Sequence, residues 1–201
     1  MIEATKRTRL SDRPSRILDS AIEIIGQRGY YGFSIKELAS ACGVTVPGVL
    51  HHFGTKDAIL LAVLKDIERR DYEAVWKGVP LTAPAKLSEM SLANFKRLLH
   101  ATVDRNSQQP NILRLFSILR IEAHYPEHPA FEFFYQRNVR ALRVVAEMLE
   151  GKVTAPKDMA IKVVSMTAGL EDVWLATSMA FDLVKQWDEA IEMLLHEKVF
   201  A

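Results

Sequence analysis

Apolar residues recur along this chain at the three- and four-residue intervals of an α-helix, almost from end to end. Ile17, Ala21, Ile24 and Ile25 form one stripe. Pro14 suits the first turn of that helix and Gly29 ends it, which predicts a first helix over 14–28 with Gly32 in the link that follows. Residues 34–37, Ser-Ile-Lys-Glu, read as a capping box. The Ser34 hydroxyl accepts the N–H of Glu37, and the Glu37 carboxylate reaches back to the N–H of Ser34. A short helix then runs to about Cys42 and stops at Gly43. Thr45 caps a third short helix with Pro47 in its first turn, ending near Gly54. Thr55 caps a fourth over 56–77. Gly78, Pro80 and Pro84 break the pattern. Further helices are predicted over 86–104, 111–123, 129–150, 157–178 and 183–198, parted at Pro110, Pro126, Pro129, Gly151, Pro156 and Asp182. No alternating strand pattern and no internal repeat is present. The expected fold is all-α, with about nine helices and short loops.

Composition narrows the class. Of 201 residues, 49% are hydrophobic, enough for a packed core. The single cysteine, Cys42, excludes a disulfide framework and is consistent with a reducing cytoplasm. No apolar run reaches the roughly 18 residues of a membrane span. The first sixteen residues are basic and polar, unlike a secretory signal. Net charge is +1, unevenly spread. Residues 1–56 hold eight Lys and Arg against five Asp and Glu, and the remainder 18 against 20. A mildly basic head on a mildly acidic body is compatible with phosphate binding at one end. No nucleophile elbow, phosphate loop, zinc-protease motif or spaced carboxylate pair points to an enzyme.

The segment SIKELASACGVTVPGVLHHF joins two short helices through Cys42, Gly43, Val44 and Thr45. Gly43 allows the positive φ that a sharp turn needs, and Val44 is placed to plug the angle against Leu38 and Val49. Two helices crossing steeply, the second with small and polar residues outward, can lay that second helix in a major groove. On these residues the stretch from about 14 to 64 resembles the TetR/AcrR family of regulators. The matching stretches are ILDSAIEIIGQRGYYGFSIKELASACGVT and VPGVLHHFGTKDAILLAVL. Further on, the segment ILRLFSILRIEAHYPEHPAFEFFYQRN, with its E-A-x-x-P-x-H-P turn, and GLEDVWLA at 169–176 resemble one branch of the same family.

The resemblance implies a helix-turn-helix DNA-binding domain over 1–56 with a basic arm, and a ligand-binding and dimerisation domain over 57–201. It implies a cytoplasmic homodimer that binds double-stranded operator DNA and responds to a small-molecule effector, by family habit as a repressor, with no cofactor. Residues 45–52 would form the recognition helix. Thr45, His51 and His52 would meet phosphates or base edges, Lys56 would grip a phosphate at a helix start, and Ser34 would meet the backbone opposite. Lys6, Arg7 and Arg9 would track phosphates or enter the minor groove. Members often carry Lys or Arg where Val46 stands, and Tyr where Leu50 stands. Thymine-methyl contacts by Val46 and Pro47, with close backbone approach at Gly48, are the expected substitute. The alternative is an all-helical interaction module whose helix-turn-helix no longer binds DNA.

For the body, the resemblance implies a ligand site among the fifth to eighth helices. Candidates are Phe95, Leu99, Phe116, Leu119, Phe134, Met166, Leu170 and Trp174, with Glu122 and Asn138 as polar anchors, in a largely apolar pocket. The last two helices would pair with their mates in a four-helix interface. Val163, Val173 and Thr177 lie near one stripe and Leu183, Trp187, Ile191 and Leu195 form another. The fourth helix would be the only covalent link between the two domains. No metal site is expected. Adjacent His51 and His52 diverge on a helix, and Pro126 breaks any helix between His124 and His128, which reads as a turn with exposed histidines. Cys42 reads as a small residue packed in the turn.

Overall fold

A computed structural model describes residues 13–78 and 86–196 and bears out the all-α expectation, with nine α-helices among the described residues. They are α1 (Arg13–Gly32), α2 (Ile35–Ala41), α3 (Val46–Phe53), α4 (Lys56–Gly78), α5 (Leu92–Ser107), α6 (Pro110–Glu122), α7 (Phe131–Leu149), α8 (Pro156–Ala176) and α9 (Leu183–Leu194). A 3-10 turn at Leu87–Glu89 lies before α5. The basic arm, with Lys6, Arg7 and Arg9, lies outside the described residues.

Most boundaries follow the local signals, and the differences have local causes. The fifth helix starts at Leu92 rather than 86, because Ser91 is the residue whose hydroxyl accepts an N–H, that of Asn94 at 3.2 Å. The first helix extends past the predicted stop to Gly32, broken at Gly29, where φ is 68° and ψ −178°. The last helix ends at Leu194, with Leu195 at the cap position.

The chain packs as two compact units whose borders do not fall at residue 56. Of the described residues, the first comprises those up to Arg70 together with Arg114–Phe134, and the second comprises those between Asp71 and Leu113 and those from Tyr135 onward. The start of α4 belongs with the head because Ile59, Leu60, Val63, Leu64 and Ile67 are all buried. Those side chains need apolar cover, and a cut at residue 56 would strip it. The chain crosses between the units three times, so α4 is not the sole covalent link.

In the first unit the predicted α1 stripe is buried at Ile17, Ala21 and Ile25, together with Phe33, Leu38 and Val49 from the following elements. The stretch 114–134 contributes buried Leu115, Leu119, Ala123, Ala130 and Phe134. In the second unit one core gathers Phe95 and Leu98 from α5, Val145, Met148 and Leu149 from α7, Met159, Val163 and Trp174 from α8, and Leu183, Trp187 and Ile191 from α9. The two tryptophans of this core satisfy their indole N–H groups, Trp174 on the Phe181 carbonyl at 3.0 Å and Trp187 on the Thr167 hydroxyl at 2.8 Å.

The α8–α9 connection stores strain. Ser178 and Met179 stand consecutively at φ 54° and 62°, in the left-handed region that L-residues avoid. Each such residue costs about 1–3 kcal/mol, of which glycine's extra freedom in the unfolded chain offsets roughly 0.5–1. Ser178→Gly is therefore expected to raise the unfolding free energy by about 1 kcal/mol in urea titrations; a decrease would contradict the left-handed geometry.

Candidate nucleic-acid interface

Three caps and the positive-φ glycines Gly43 and Gly54 shape the helix-turn-helix. The Ser34 hydroxyl accepts the Glu37 N–H at 3.2 Å, which is the forward half of the predicted capping box. The reverse half is absent. The Glu37 carboxylate pairs instead with the Arg28 guanidinium at 3.0 Å, an ionic partner from α1 that the local motif does not include. Gly43 has φ 64°, as the turn between α2 and α3 requires, and the Val44 N–H bonds to the Ala39 carbonyl at 3.0 Å. Thr45 caps α3 by accepting the Gly48 N–H at 3.2 Å. A Cβ at Gly48 would stand 3.2 Å from the Thr45 hydroxyl, so the glycine leaves room for the cap. Gly54, at φ 82°, ends α3, and Thr55 caps α4 through the Ala58 N–H at 3.1 Å.

These caps orient one face of α3 outward. Val49 is fully buried and anchors the helix, while Thr45, Pro47, His51 and His52 are exposed and Val46, Gly48 and Leu50 half-buried. Ser34 is exposed on the neighbouring helix start. Cys42 is a free, half-buried thiol in the turn. His51 and His52 lie edge to face with centroids 5.6 Å apart. No lysine or arginine occurs between Thr45 and Gly54, so the nearest following cation is Lys56. Its ammonium sits 4.4 Å from the centre of the Tyr30 ring and 5.5 Å from that of Phe33, held by the ring faces at the first turn of α4. The Tyr30 hydroxyl donates to the Asp57 carboxylate. Burial, with that bond adding to it, holds the Tyr30 hydroxyl well above its ordinary pKa, so it stays protonated.

His128 departs from expectation. The broken turn around Pro126 predicts an exposed ring, but only 2% of its surface is accessible, whereas His124 is exposed. The ring lies edge to face on Tyr30 and Tyr31, and its Nδ1 accepts the Ala130 N–H at 3.1 Å. Its Nε2 lies 3.8 Å from the Glu122 carboxylate, too far for a hydrogen bond. Burial lowers the His128 pKa below its ordinary 6.5, against the opposing pull of the Glu122 and Asp57 carboxylates. The unfolded chain therefore takes up a proton first. Stability is complete above about pH 6.5 and is lost as pH falls below it, by at most about 1.4 kcal/mol per pH unit from this group. Thermal melts from pH 8 to pH 5 should show that slope in the native protein and a shallower one in His128→Gln; equal slopes would exclude His128 as its source.

The ten residues expected to line a ligand site divide between the units. Phe116, Leu119, Glu122 and Phe134 belong to the first, where Leu119 is fully buried and Phe116 packs on Phe134 at 5.9 Å. Phe95, Leu99, Asn138, Met166, Leu170 and Trp174 belong to the second. There Phe95 and Trp174 are buried core, and Leu99, Met166 and Leu170 pack partly buried against it. Neither polar anchor stands ready for a ligand. Asn138 is exposed on the outer face of α7, and a Glu122 carboxylate oxygen accepts the Tyr30 N–H at 2.9 Å. An open groove of about 820 Å³ runs along α7 and α8, with Leu142, Ala146, Pro156 and Ile161 among its lining, none of them a candidate from sequence.

The interface candidates also divide. Val173 is 53% exposed and Thr177 is exposed. Val163, Leu183, Trp187, Ile191 and Leu195 are at most 2% exposed, used up in the core of their own chain. The outward stripe of α8 is instead Ile161, Ser165, Gly169, Val173 and Thr177, all exposed. Their unbroken four-residue spacing was the signal available in the sequence.

Comparison with known proteins agrees with this geometry. Residues 17–63 match the family model of bacterial regulatory proteins of the TetR family. The chain is 29% identical over 112 residues to the HTH-type transcriptional regulator RutR of Escherichia coli K12, covering 55% of this chain and 50% of that protein. It is 35% identical over 68 residues to the HTH-type transcriptional regulator BetI of Brucella canis, covering 32% of this chain and 34% of that one. The chain thus spans half or less of the curated relatives it matches. Among solved structures, the TetR-family regulator SCO4454 of Streptomyces coelicolor has a TM-score of 0.73 at 20% identity over 95% of this chain and 97% of that one. The Bacillus subtilis regulator FadR, solved with stearoyl-CoA, has a TM-score of 0.71 at 16% identity over 90% and 97%. At these identities the likeness shows the fold. The head's caps, turn and helix order fall in the same segment, residues 17–63, that matches the TetR family of bacterial regulatory proteins.

Proposed function

We propose that the protein is a cytoplasmic transcription regulator that binds operator DNA as a homodimer and is released by a small, largely apolar effector, acting as a repressor. The observation that carries the DNA-binding reading is the outward face of α3, where Thr45, Pro47, His51 and His52 are exposed while Val49 anchors the helix from behind. Two such faces would meet major-groove half-sites about 34–36 Å apart. Lys56 and Ser34 flank the face at helix starts, where phosphates are favourably bound. The apolar surroundings of Leu99, Met166 and Leu170 favour an apolar effector.

One observation favours a second reading, an interaction module that no longer binds DNA: residues 45–54 lack lysine and arginine. Fluorescence anisotropy with duplexes from the protein's own upstream region separates the two. A regulator should bind one such duplex more tightly than scrambled DNA and lose roughly tenfold or more in affinity between 50 and 200 mM salt. Equal, weak binding to all duplexes would leave the interaction module.

A further inference from the structure

The end of α1 is built around a carboxylate from far along the chain. At Gly29 the backbone adopts φ 68° and ψ −178°, a region essentially reserved for glycine. A Cβ placed there would stand 2.4 Å from Oε1 of Glu122 and 3.0 Å from its Cδ. The Glu122 carboxylate therefore occupies the space a side chain at residue 29 would need. Its Oε2 accepts the N–H of Tyr30, the residue just past the break, across 92 positions of sequence. His128 closes the other side, with Nε2 3.8 Å from the same oxygen and its ring against Tyr30 and Tyr31. Tyr30 in turn holds the start of α4, through its hydroxyl on Asp57 and its ring beneath the Lys56 ammonium.

We infer that Glu122 is a positioning residue of the DNA-reading head: seated on Gly29 and holding the Tyr30 amide, it sets the corner of Tyr30, Asp57 and Lys56 from which Lys56 is presented to DNA. This rests on the DNA-binding reading above. Glu122 touches no DNA in that picture and acts through Tyr30. A hydrogen bond to one backbone amide fixes direction as well as distance, because it weakens steeply as its angle departs from linear. The glycine without a side chain and the carboxylate that fills its place are two halves of one fit.

The test uses the full chain as wild type and as Glu122→Ala, Glu122→Asp and Glu122→Gln, with the upstream duplex as probe and temperatures well below each melting point. Losing the amide bond should weaken DNA binding about tenfold or more in the alanine variant. The aspartate variant, one methylene short of Gly29, should fall between alanine and wild type. Glutamine keeps an acceptor oxygen, so its affinity should stay near wild type. Amide exchange at Tyr30 should quicken in the alanine variant and not in the glutamine variant. A folded alanine variant with wild-type affinity would reduce Glu122 to structural glue and overturn the inference. A glutamine variant as weak as alanine would do the same, because charge rather than the seated acceptor would be responsible. Should alanine fail to fold, wild-type affinity in the aspartate variant is the overturning result. A wild-type protein that prefers no duplex would instead overturn the DNA-binding reading itself, and this inference with it.

Discussion

Trp187→Ala should lower the unfolding free energy by about 3–5 kcal/mol, the cost of emptying a fully packed aromatic site. The indole is 1% exposed, shares its core with Val163, Leu183 and Ile191, and donates its N–H to the Thr167 hydroxyl at 2.8 Å. Thr167 passes the chain on by donating to the Val163 carbonyl at 2.9 Å, so the truncation also leaves a partly buried hydroxyl short of a donor. The loss should be the same at every protein concentration, because the side chain is covered by its own chain. Had it faced a second copy, as its stripe on α9 suggested, the same substitution would weaken association and the size of the loss would change with protein concentration. Urea titrations at two concentrations distinguish the cases. A wild-type midpoint, or a midpoint shift that vanishes on concentration, would contradict the core placement.

That example shows where the sequence speaks and where it stops. The caps at Ser34, Thr45 and Thr55 involve partners three residues away, so the motif contains both members of each bond. Gly43 is similar, since a short turn between two helices dictates a positive φ by itself. An amphipathic stripe differs in kind. Leu183, Trp187, Ile191 and Leu195 announce that something covers them, but the period cannot say whether α5 of the same chain or another molecule does. The structure answers with α5, α7 and α8 of the same chain.

The misplaced polar residues share one cause: each finds its partner on another element, outside its own local motif. Glu37 finds Arg28 rather than its own helix end, Glu122 finds Tyr30, and His128 is buried by two tyrosines nearly a hundred positions earlier. Gly29 was readable as a helix stop, but its second reason for being glycine, the carboxylate beside it, was not. The same long-range pairing explains why the unit border misses residue 56. Residues 114–134 return to the head, and the buried face of α4 as far as Ile67 stays with it.

Gly169→Arg should abolish self-association and weaken operator binding about a hundredfold or more, while leaving each subunit at least as stable as before. The site is exposed in the middle of α8, and a Cβ built there meets nothing within 4 Å. Within one chain the change is favourable, since arginine exceeds glycine in helix propensity by up to about 1 kcal/mol. The neighbours along the outward stripe, Ile161, Ser165, Val173 and Thr177, are small or apolar, and Ile161 and Val173 are each 53% exposed. In the proposed homodimer this is the face left for a second copy, and a guanidinium at its centre would be desolvated without a partner. Losing the dimer converts a two-site engagement of DNA into a one-site engagement, forfeiting the roughly 10²- to 10⁴-fold gain that linkage provides. Sedimentation analysis and anisotropy on the same preparation, with the chemical melt as control, read all three effects. A variant that remains dimeric and binds DNA normally would move the interface away from α8. A variant that loses the dimer but keeps full affinity would show that one head suffices, and would remove the need for paired half-sites.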